Sequence, residues 1–215
     1  LVCAGDELER LVFAVFRSAG TVDEVAREVA THLVRSNLSG HDSHGVIRVA
    51  QYLSQIDKGE IDPSAMPVML RETPATPLID AHSCFGHYST AFALDWAVAH
   101  AKETGIALAA VRHSCHIGRL GEYTERAAER GLVAMVTIGV GGPGVGGMVL
   151  YNGRQRFFGA NPWSFGVPAA GRPPMMFDGS SSATAEGKVR LARAKGIHLP
   201  PDCIVDSQGE PTTDP

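Results

Sequence analysis

A change of character at residue 141 most constrains what this chain can fold into. Before it, apolar residues recur at steps of three and four, interrupted by single glycines. After it, "GGPGVGGM" and "YNGRQRFFGANPWSFGVPAAGRPPMMFDGSSS" crowd Gly, Pro and Asn between short β-prone runs. The first pattern is that of amphipathic helices, the second that of strands joined by tight loops. Residues 6–18 place Leu8, Leu11, Val12, Val15 and Phe16 on one helical face. Thr21 can cap a second helix carrying Val22, Val25, Val29 and Leu33, ended by Ser39-Gly40. Residues 46–57 predict a third, with Ile47, Tyr52, Leu53 and Ile56 facing inward. A Pro-rich passage from Ile61 to Pro77 predicts a loop with short extended pieces. A strand "PLIDA", a long helix from His87 to Thr104, a buried strand at 106–112, a helix over Gly121–Glu129 and an apolar strand "LVAMVTIGV" follow. A last helix is expected from Ala183 to Lys195, then an extended, turn-rich tail. The expected fold is mixed α/β: a helical N-terminal part, and a largely antiparallel or mixed sheet with flanking helices. Residues 1–80 form the helical segment packing on the core, and 81–215 the α/β domain.

At 215 residues, 44% hydrophobic and 20% charged, the chain can bury a core of its own. A formal net charge of -4 carries no footprint for nucleic acid or an anionic membrane. No apolar stretch approaches the roughly 20 residues of a spanning helix. The start "LVCAGDELERL" has neither a basic flank nor a sustained apolar region, so it does not read as a secretory signal. It also lacks an initiator Met, so the gene need not begin there. Cys3, Cys84, Cys115 and Cys203 are scattered, without C-x-x-C spacing, and read as reduced thiols in a cytoplasmic protein. Cys115 beside His116 admits a thiol nucleophile, but a small packing residue is the simpler reading.

"GPGVGG", Gly142 to Gly147, is a literal G-x-G-x-x-G after an apolar strand. A Rossmann site needs that loop to open a helix, so that a pyrophosphate meets free backbone amides. Here it opens onto "MVLYNGRQRFFGANP", where Gly153, Pro162 and the aromatic run oppose a helix, and the next acidic residue is Asp178. A strand-to-strand loop is the better reading, so the fold is not of the Rossmann type.

Three passages carry chemistry. In "GHDSHGVIR", residues 40–48, a joint between two helices holds His41, Asp42, Ser43, His44 and Arg48. A Ser43/His44 hydrolase lacks the G-x-S-x-G elbow. His41 and His44 lack H-E-x-x-H or further clustered ligands, so no metal is expected. An acid cradle fits better, because Arg48 stands one helical turn past His44 and a guanidinium binds a carboxylate through two parallel bonds. The bland alternative is that Ser43 caps the helix and the rest are solvated. In "RHSCHIGRLGEY", residues 112–123, His113 and His116 occupy a strand-to-helix joint, where a histidine is the natural proton carrier. Gly118 and Gly121 would let the backbone approach a ligand. In "MMFDGSSSATAEGK", Asp178 closes a strand, and Ser180, Ser181 and Ser182 lead into a helix. They could contact a phosphate or ribose, or simply cap the helix.

Taken together, "GHDSHGVIRVAQYL", "HSCHIGRLGEY", "GANPWSFGVP", "FDGSSSATAEGKV" and "LPPDCIVDSQGEPTTDP" resemble the malate/L-lactate dehydrogenase family. These are NAD(P)-dependent oxidoreductases unrelated to the Rossmann lactate and malate dehydrogenases; ureidoglycolate and sulfolactate dehydrogenases belong too. The resemblance runs over nearly the whole chain. It implies that Asp42, Ser43, His44, Gly45 and Arg48 match a D-S-H-G-x-x-R pattern on the substrate side, with residues 1–80 as the substrate-side segment. It implies His116 as the acid/base, Asn161-Pro162 as the N-P turn, and Asp178 with Ser180, Ser181 and Ser182 as the cofactor turn in a cofactor-binding domain, 81–215. Gly179 stands where an apolar residue is usual. Gly118 and Arg119 fall on the cofactor joint; NAD and NADP both stay open, with Arg119 a candidate contact for the 2′-phosphate of NADP.

The implied reaction is hydride transfer between NAD(P)H and the C2 carbonyl of a small 2-oxo acid of the malate, lactate, sulfolactate or ureidoglycolate type. Arg48 would clamp the carboxylate. His116 would protonate the carbonyl oxygen, which Ser43 and His44 would bond, with Asp178 orienting His44. In the alternative, His44 is the acid/base, backed by Ser43 and Asp178; the residues leave both open. The resemblance also implies a homodimer. Relatives continue well past "PTTDP", so the chain reads as a fragment or a truncated product. In the latter case it would be an inactive dehydrogenase remnant, at most a weak nucleotide-binding or dimerising protein.

Overall fold

The structure is a computed structural model and describes residues 3–215. The first two positions of the segment 1–80, and of the stretch "LVCAGDELERL", lie outside the described residues. In chain order the elements are α1 (Gly5–Ser18), α2 (Asp23–Leu38), short 3-10 turns at Asp42–His44 and Val46–Arg48, and α3 (Val49–Asp57). Next come β1 (Val68–Glu72), β2 (Pro77–Asp80), α4 (Gly86–Thr104), β3 (Ala110–Arg112), α5 (Gly121–Glu129) and β4 (Ala134–Thr137). The Gly/Pro-rich part supplies β5 (Met148–Val149), β6 (Arg156–Phe158), β7 (Trp163–Val167), β8 (Met175–Gly179), α6 (Glu186–Lys195), β9 (Ile204–Val205) and β10 (Pro211–Thr212).

The fold is mixed α/β, as the change at 141 indicates, but the strands divide among four small sheets. In the first, β2 lies between antiparallel β1 and parallel β3. In the second, β7 lies between β4 and β8, antiparallel to both. Two-stranded ribbons, β5–β6 and β9–β10, complete the set. "GPGVGG" leads into β5, which pairs antiparallel with β6, so it is a strand-to-strand loop.

Buried apolar residues form two clusters. The first joins Val12 and Phe16 of α1, Val25, Val29 and Leu33 of α2, and Tyr52 of α3, with Ile61 and Phe85. Each large side chain buried there contributes roughly 1.5–3 kcal/mol. The second joins Leu94 and Val98 of α4 to Leu120, Tyr123 and Ala127 around α5. Three expectations shift. Leu11 and Ile47 are 60% and 72% exposed, Ile47 because Val46–Arg48 is a 3-10 turn whose phase differs from that of α3. The segment 106–112 is not a buried strand: β3 is three residues long, and Ile106 and Leu108 lie open. Helix α6 starts at Glu186, so the serines before it do not cap it. One face of the β4–β7–β8 sheet leaves Met135, Phe165 and Phe177 in register and largely exposed.

Candidate active site

The joint at 40–48 is held from α2. Asn37 Oδ1 accepts from the Val46 amide at 2.9 Å while its Nδ2 donates to Asp42 Oδ1 at 2.6 Å. This staple leaves no room for a Cβ at Gly45. It turns His44 inward, where its ring stacks on that of His116, centroids 5.5 Å apart and planes 21° apart. The fold therefore brings together two histidines 72 positions apart in the sequence. The Ser43 hydroxyl lies 3.0 Å from His44 Nδ1. Arg48 donates from Nε to the Ser43 carbonyl and from Nη1 to Gln51 Oε1, both at 2.6 Å. Of its five N–H groups, three stay free at the end of the fork, enough for a carboxylate.

His116 is anchored from behind. The Gly118 amide points at its Nδ1 from 3.3 Å, and an amide can only donate, so Nδ1 is an acceptor. The Tyr52 hydroxyl, 2.7 Å away, therefore donates to the same atom, and in neutral His116 the proton sits on Nε2. Behind Tyr52 lie two buried histidines. His87, in the first turn of α4, has Nε2 at 3.5 Å from the Tyr52 hydroxyl. His32, on α2, accepts the Arg119 amide at Nε2 (2.9 Å), and its ring lies 4.7 Å from that of His87. The cluster fills the seam between the two apolar clusters, with Tyr52 from one and Tyr123 from the other.

Burial, then the neighbouring His44 and Arg48, lowers the His116 pKa to about 3. Burial, then Arg48, His41 and Arg119, lowers that of His44 to about 4. Burial likewise takes His32 to about 3, helped by Arg119, and His87 well below the ordinary value. At neutral pH all four rings are uncharged. An anion placed beside Arg48 would offset part of the field on His44 and His116.

Around the other sheet the candidate cofactor residues form a second group. Asn161 Oδ1 accepts from the Val140 amide at 2.9 Å, and the Pro162 carbonyl accepts from the Ile138 amide. Ser180 and Ser181 donate to the Ala160 and Asn161 carbonyls at 3.2 and 2.8 Å, and Ser182 donates to that of Thr184 at 2.7 Å. The N-P turn and the serine turn are thus one knitted unit. Asp178 Oδ2 accepts from the Gly121 amide at 2.7 Å, where a carboxylate favours the positive end of α5.

Four sequence expectations need correction. Asp178 does not orient His44: among the described residues no hydrogen bond joins them, because the carboxylate is committed to α5 and His44 Nδ1 to Ser43. Arg119 is not a free cation for a 2′-phosphate, because its guanidinium is buried and paired with Glu122 at 3.2 Å and Glu125 at 3.1 Å. Gly118 and Gly121 are required by contacts inside the protein rather than by ligand approach. A Cβ at Gly121 would stand 2.9 Å from Asp178 Oδ2, and one at Gly118 would collide with His32 and His87. His113 turns away from His116 to bond Asp80, which also takes Arg112 Nε at 2.9 Å.

Cys115 is no nucleophile candidate, since burial raises its pKa and its Sγ contacts the Glu60 and Ser83 carbonyls. The "GPGVGG" loop, with Arg154 and Arg156, lines a cavity of about 680 Å³ that none of the histidines borders. Among the described residues no cluster could hold a metal, and no helix is long and apolar enough to cross a membrane.

The site thus holds a stacked histidine pair beside an arginine with free N–H groups, in an α/β frame that is not of the Rossmann type. The chain belongs to the malate/L-lactate dehydrogenase family, which matches residues 4–215. Hydroxycarboxylate dehydrogenase B of Escherichia coli (strain K12) is 34% identical over 208 residues, which make up 97% of this chain and 57% of that protein. L-sulfolactate dehydrogenase of Methanocaldococcus jannaschii is 30% identical over 207 residues, 96% of this chain and 59% of the relative. The crystal structure of Δ1-piperideine-2-carboxylate reductase from Pseudomonas syringae pv. tomato superposes with a TM-score of 0.92 at 34% identity, covering 100% of this chain and 63% of that one. The chain thus spans about six-tenths of the length of these relatives.

Proposed function

We propose that this chain forms the substrate and proton-transfer side of an NAD(P)-dependent oxidoreductase acting at C2 of a small 2-oxo or 2-hydroxy acid. The observation that carries this reading is the His44–His116 stack beside the open end of Arg48. A substrate carboxylate on Arg48 would set C2 next to the two rings. His116, whose Nε2 has no partner among the described residues, would donate from Nε2 as an imidazolium to the C2 oxygen in reduction, keeping its second proton on Nδ1 beside the Tyr52 hydroxyl, and would take a proton back at Nε2 in oxidation. Carboxylate binding would favour this role, because it offsets the Arg48 charge, which adds to burial and His44 in lowering the His116 pKa. Ser43 and His44 would bond the same oxygen. The alternative gives the proton to His44, backed by Ser43 alone, since Asp178 is engaged elsewhere.

A nicotinamide cofactor would lie against the unit of Asn161, Pro162, Ser180, Ser181 and Ser182. Asp178 at its edge is bonded to the Gly121 amide at the start of α5. When bound, the cofactor supplies or takes the hydride. In this reading residues 1–80 are the substrate side and 81–215 the cofactor side. The enzyme is a cytoplasmic homodimer, with the exposed row of Met135, Phe165 and Phe177 as an apolar surface available for assembly. The Pseudomonas reductase extends the substrate range to cyclic 2-imino acids, whose C=N stands where the C=O of a 2-oxo acid would. The test is NADH and NADPH consumption with a panel of 2-oxo acids and cyclic 2-imino acids, on this chain and on any longer reading frame containing it. Turnover of one such acid supports the reading, whereas no turnover on either form leaves a non-catalytic, dimerising remnant.

A further inference from the structure

The "GPGVGG" loop, the segment entering β6 and the β9–β10 turn line one cavity of about 680 Å³. Small-molecule sites run from roughly 300 to 1,000 Å³, so this one has room for a nucleotide-sized ligand. The histidines do not border it, nor do Asn161, Pro162 and the three serines. We propose that this cavity binds a ribose phosphate, with Arg154 and Arg156 on the phosphate and Asp206 and Ser207 on the ribose hydroxyls. The site goes beyond the reaction proposed above and does not depend on it.

The loop is fixed along β6. The Gly142 and Gly144 amides donate to the Phe157 and Arg156 carbonyls, each at 2.8 Å, and a Cβ at Gly146 would collide with the Phe158 carbonyl. Gly147 has no such reason to be glycine. Its φ lies outside the left-handed region, and a Cβ there would meet nothing within 4 Å. It lines the cavity, so its missing side chain leaves room for a ligand against the backbone. Arg154 and Arg156 stand two positions apart, the spacing that puts side chains on one face of an extended segment, and both line the cavity. Arg156 is exposed and has no ion-pair partner among the described residues. Arg154 faces Glu210 at 3.8 Å, but both side chains are largely exposed, so the pair is weak and a phosphate can compete for the guanidinium. In the other ribbon, Asp206 Oδ1 accepts the Gln208 and Glu210 amides at 2.8 and 3.0 Å, which holds the β9–β10 turn. Its second oxygen has no partner among the described residues. That oxygen repels a phosphate but accepts from a sugar hydroxyl, as a carboxylate does from ribose in dinucleotide sites. One ribbon thus supplies cations and the other a carboxylate and a hydroxyl, a pairing that a bare anion does not match and a ribose phosphate does. Val149 and Val205 add apolar surface for a ring. A free pentose phosphate and a nucleotide both carry this chemistry.

The test is calorimetric titration of this chain with ribose 5-phosphate, adenosine monophosphate, inorganic phosphate and ribose. At least one of the two esters should bind with a Kd below about 1 mM, and about tenfold or more tighter than phosphate or ribose alone. Equal affinity for the two esters assigns a sugar phosphate, and tighter adenosine monophosphate assigns a nucleotide. A charge-assisted bond to phosphate is worth roughly tenfold or more in affinity, so Arg156→Gln should weaken binding by about that factor. Gly147→Val, which fills the open space, should weaken it about as much. Both positions lie at the surface, so Tm should stay within about 2 °C in each variant. Asp206→Asn should weaken ribose 5-phosphate without weakening inorganic phosphate. No binding of either ester at about 10 mM, well above the expected Kd, overturns the proposal. So does binding that Arg156→Gln and Gly147→Val leave unchanged, which puts the ligand elsewhere, and so does inorganic phosphate that binds as tightly as its ribose ester.

Discussion

Replacing Gly118 by alanine tests how the histidine cluster is packed. Gly118 has φ +73°, a left-handed conformation that alanine adopts at a cost of about 1–2 kcal/mol. The new Cβ would stand 2.8 Å from His87 Nε2 and closer still to His32 Nε2. Neither fully buried ring can swing into solvent, so the neighbours must shift, at roughly 1–3 kcal/mol for overpacking. The shift also strains the bond from the Arg119 amide to His32 Nε2, worth about 0.5–1.5 kcal/mol. The sum is roughly 3–6 kcal/mol, a large share of the 5–15 kcal/mol by which a typical protein is stable. At about 2–4 °C per kcal/mol for a chain of this size, Tm should fall by roughly 6–24 °C. Thermal and urea unfolding followed by circular dichroism measure it. The double variant Gly118→Ala/His32→Ala, which opens the space, should lose less than the sum of its single variants. A Tm loss under about 2 °C, or strict additivity, would refute the packing assigned to the cluster.

Acid should destabilise the fold through the same residues. The folded pKa values of His32 and His116, about 3, lie below the unfolded value of 6.5, so the unfolded chain binds more protons between those limits. The stabilisation is complete above about pH 6.5 and is lost as pH falls toward 3, on the order of 3–5 kcal/mol for His32 alone. A Tm that stays flat from pH 6.5 down to 5 would speak against neutral burial. Asp178→Ala should cost about 0.5–2 kcal/mol by removing the acceptor for the Gly121 amide, and it should leave the His44 titration seen by NMR unmoved. A shifted His44 pKa would restore Asp178 as its partner.

Much of the frame is legible in the sequence. The boundaries Gly121 and Glu129 of α5 follow from spacing and the flanking glycine, and α1 and α2 begin within a residue of where periodicity places them. Division into small sheets is not legible, because strand partners in antiparallel sheets depend on pairings that no local pattern records. At the site, Ser43, His44 and Arg48 share a joint, and only the tertiary fold brings His116 to them. Tyr52 is i+4 from Arg48, yet it reads as an ordinary inward residue of an amphipathic helix. His32 and His87 occupy buried helix faces, where an apolar residue is the default. The helical step from Arg48 to Tyr52 is the one signal that points to this inner layer. Asp178 misleads because its bond to α5 joins residues 57 positions apart.

The central claim is that His116 moves the proton in a hydride transfer to C2. The most direct measurement is turnover of NAD(P)H with the best acid of the panel, in an active form, for the wild type, His116→Gln and His44→Gln. General acid catalysis contributes about 10²–10⁴-fold. The account predicts a loss of that size in His116→Gln, with a smaller loss in His44→Gln. Normal turnover in His116→Gln, with the large loss in His44→Gln instead, would contradict it.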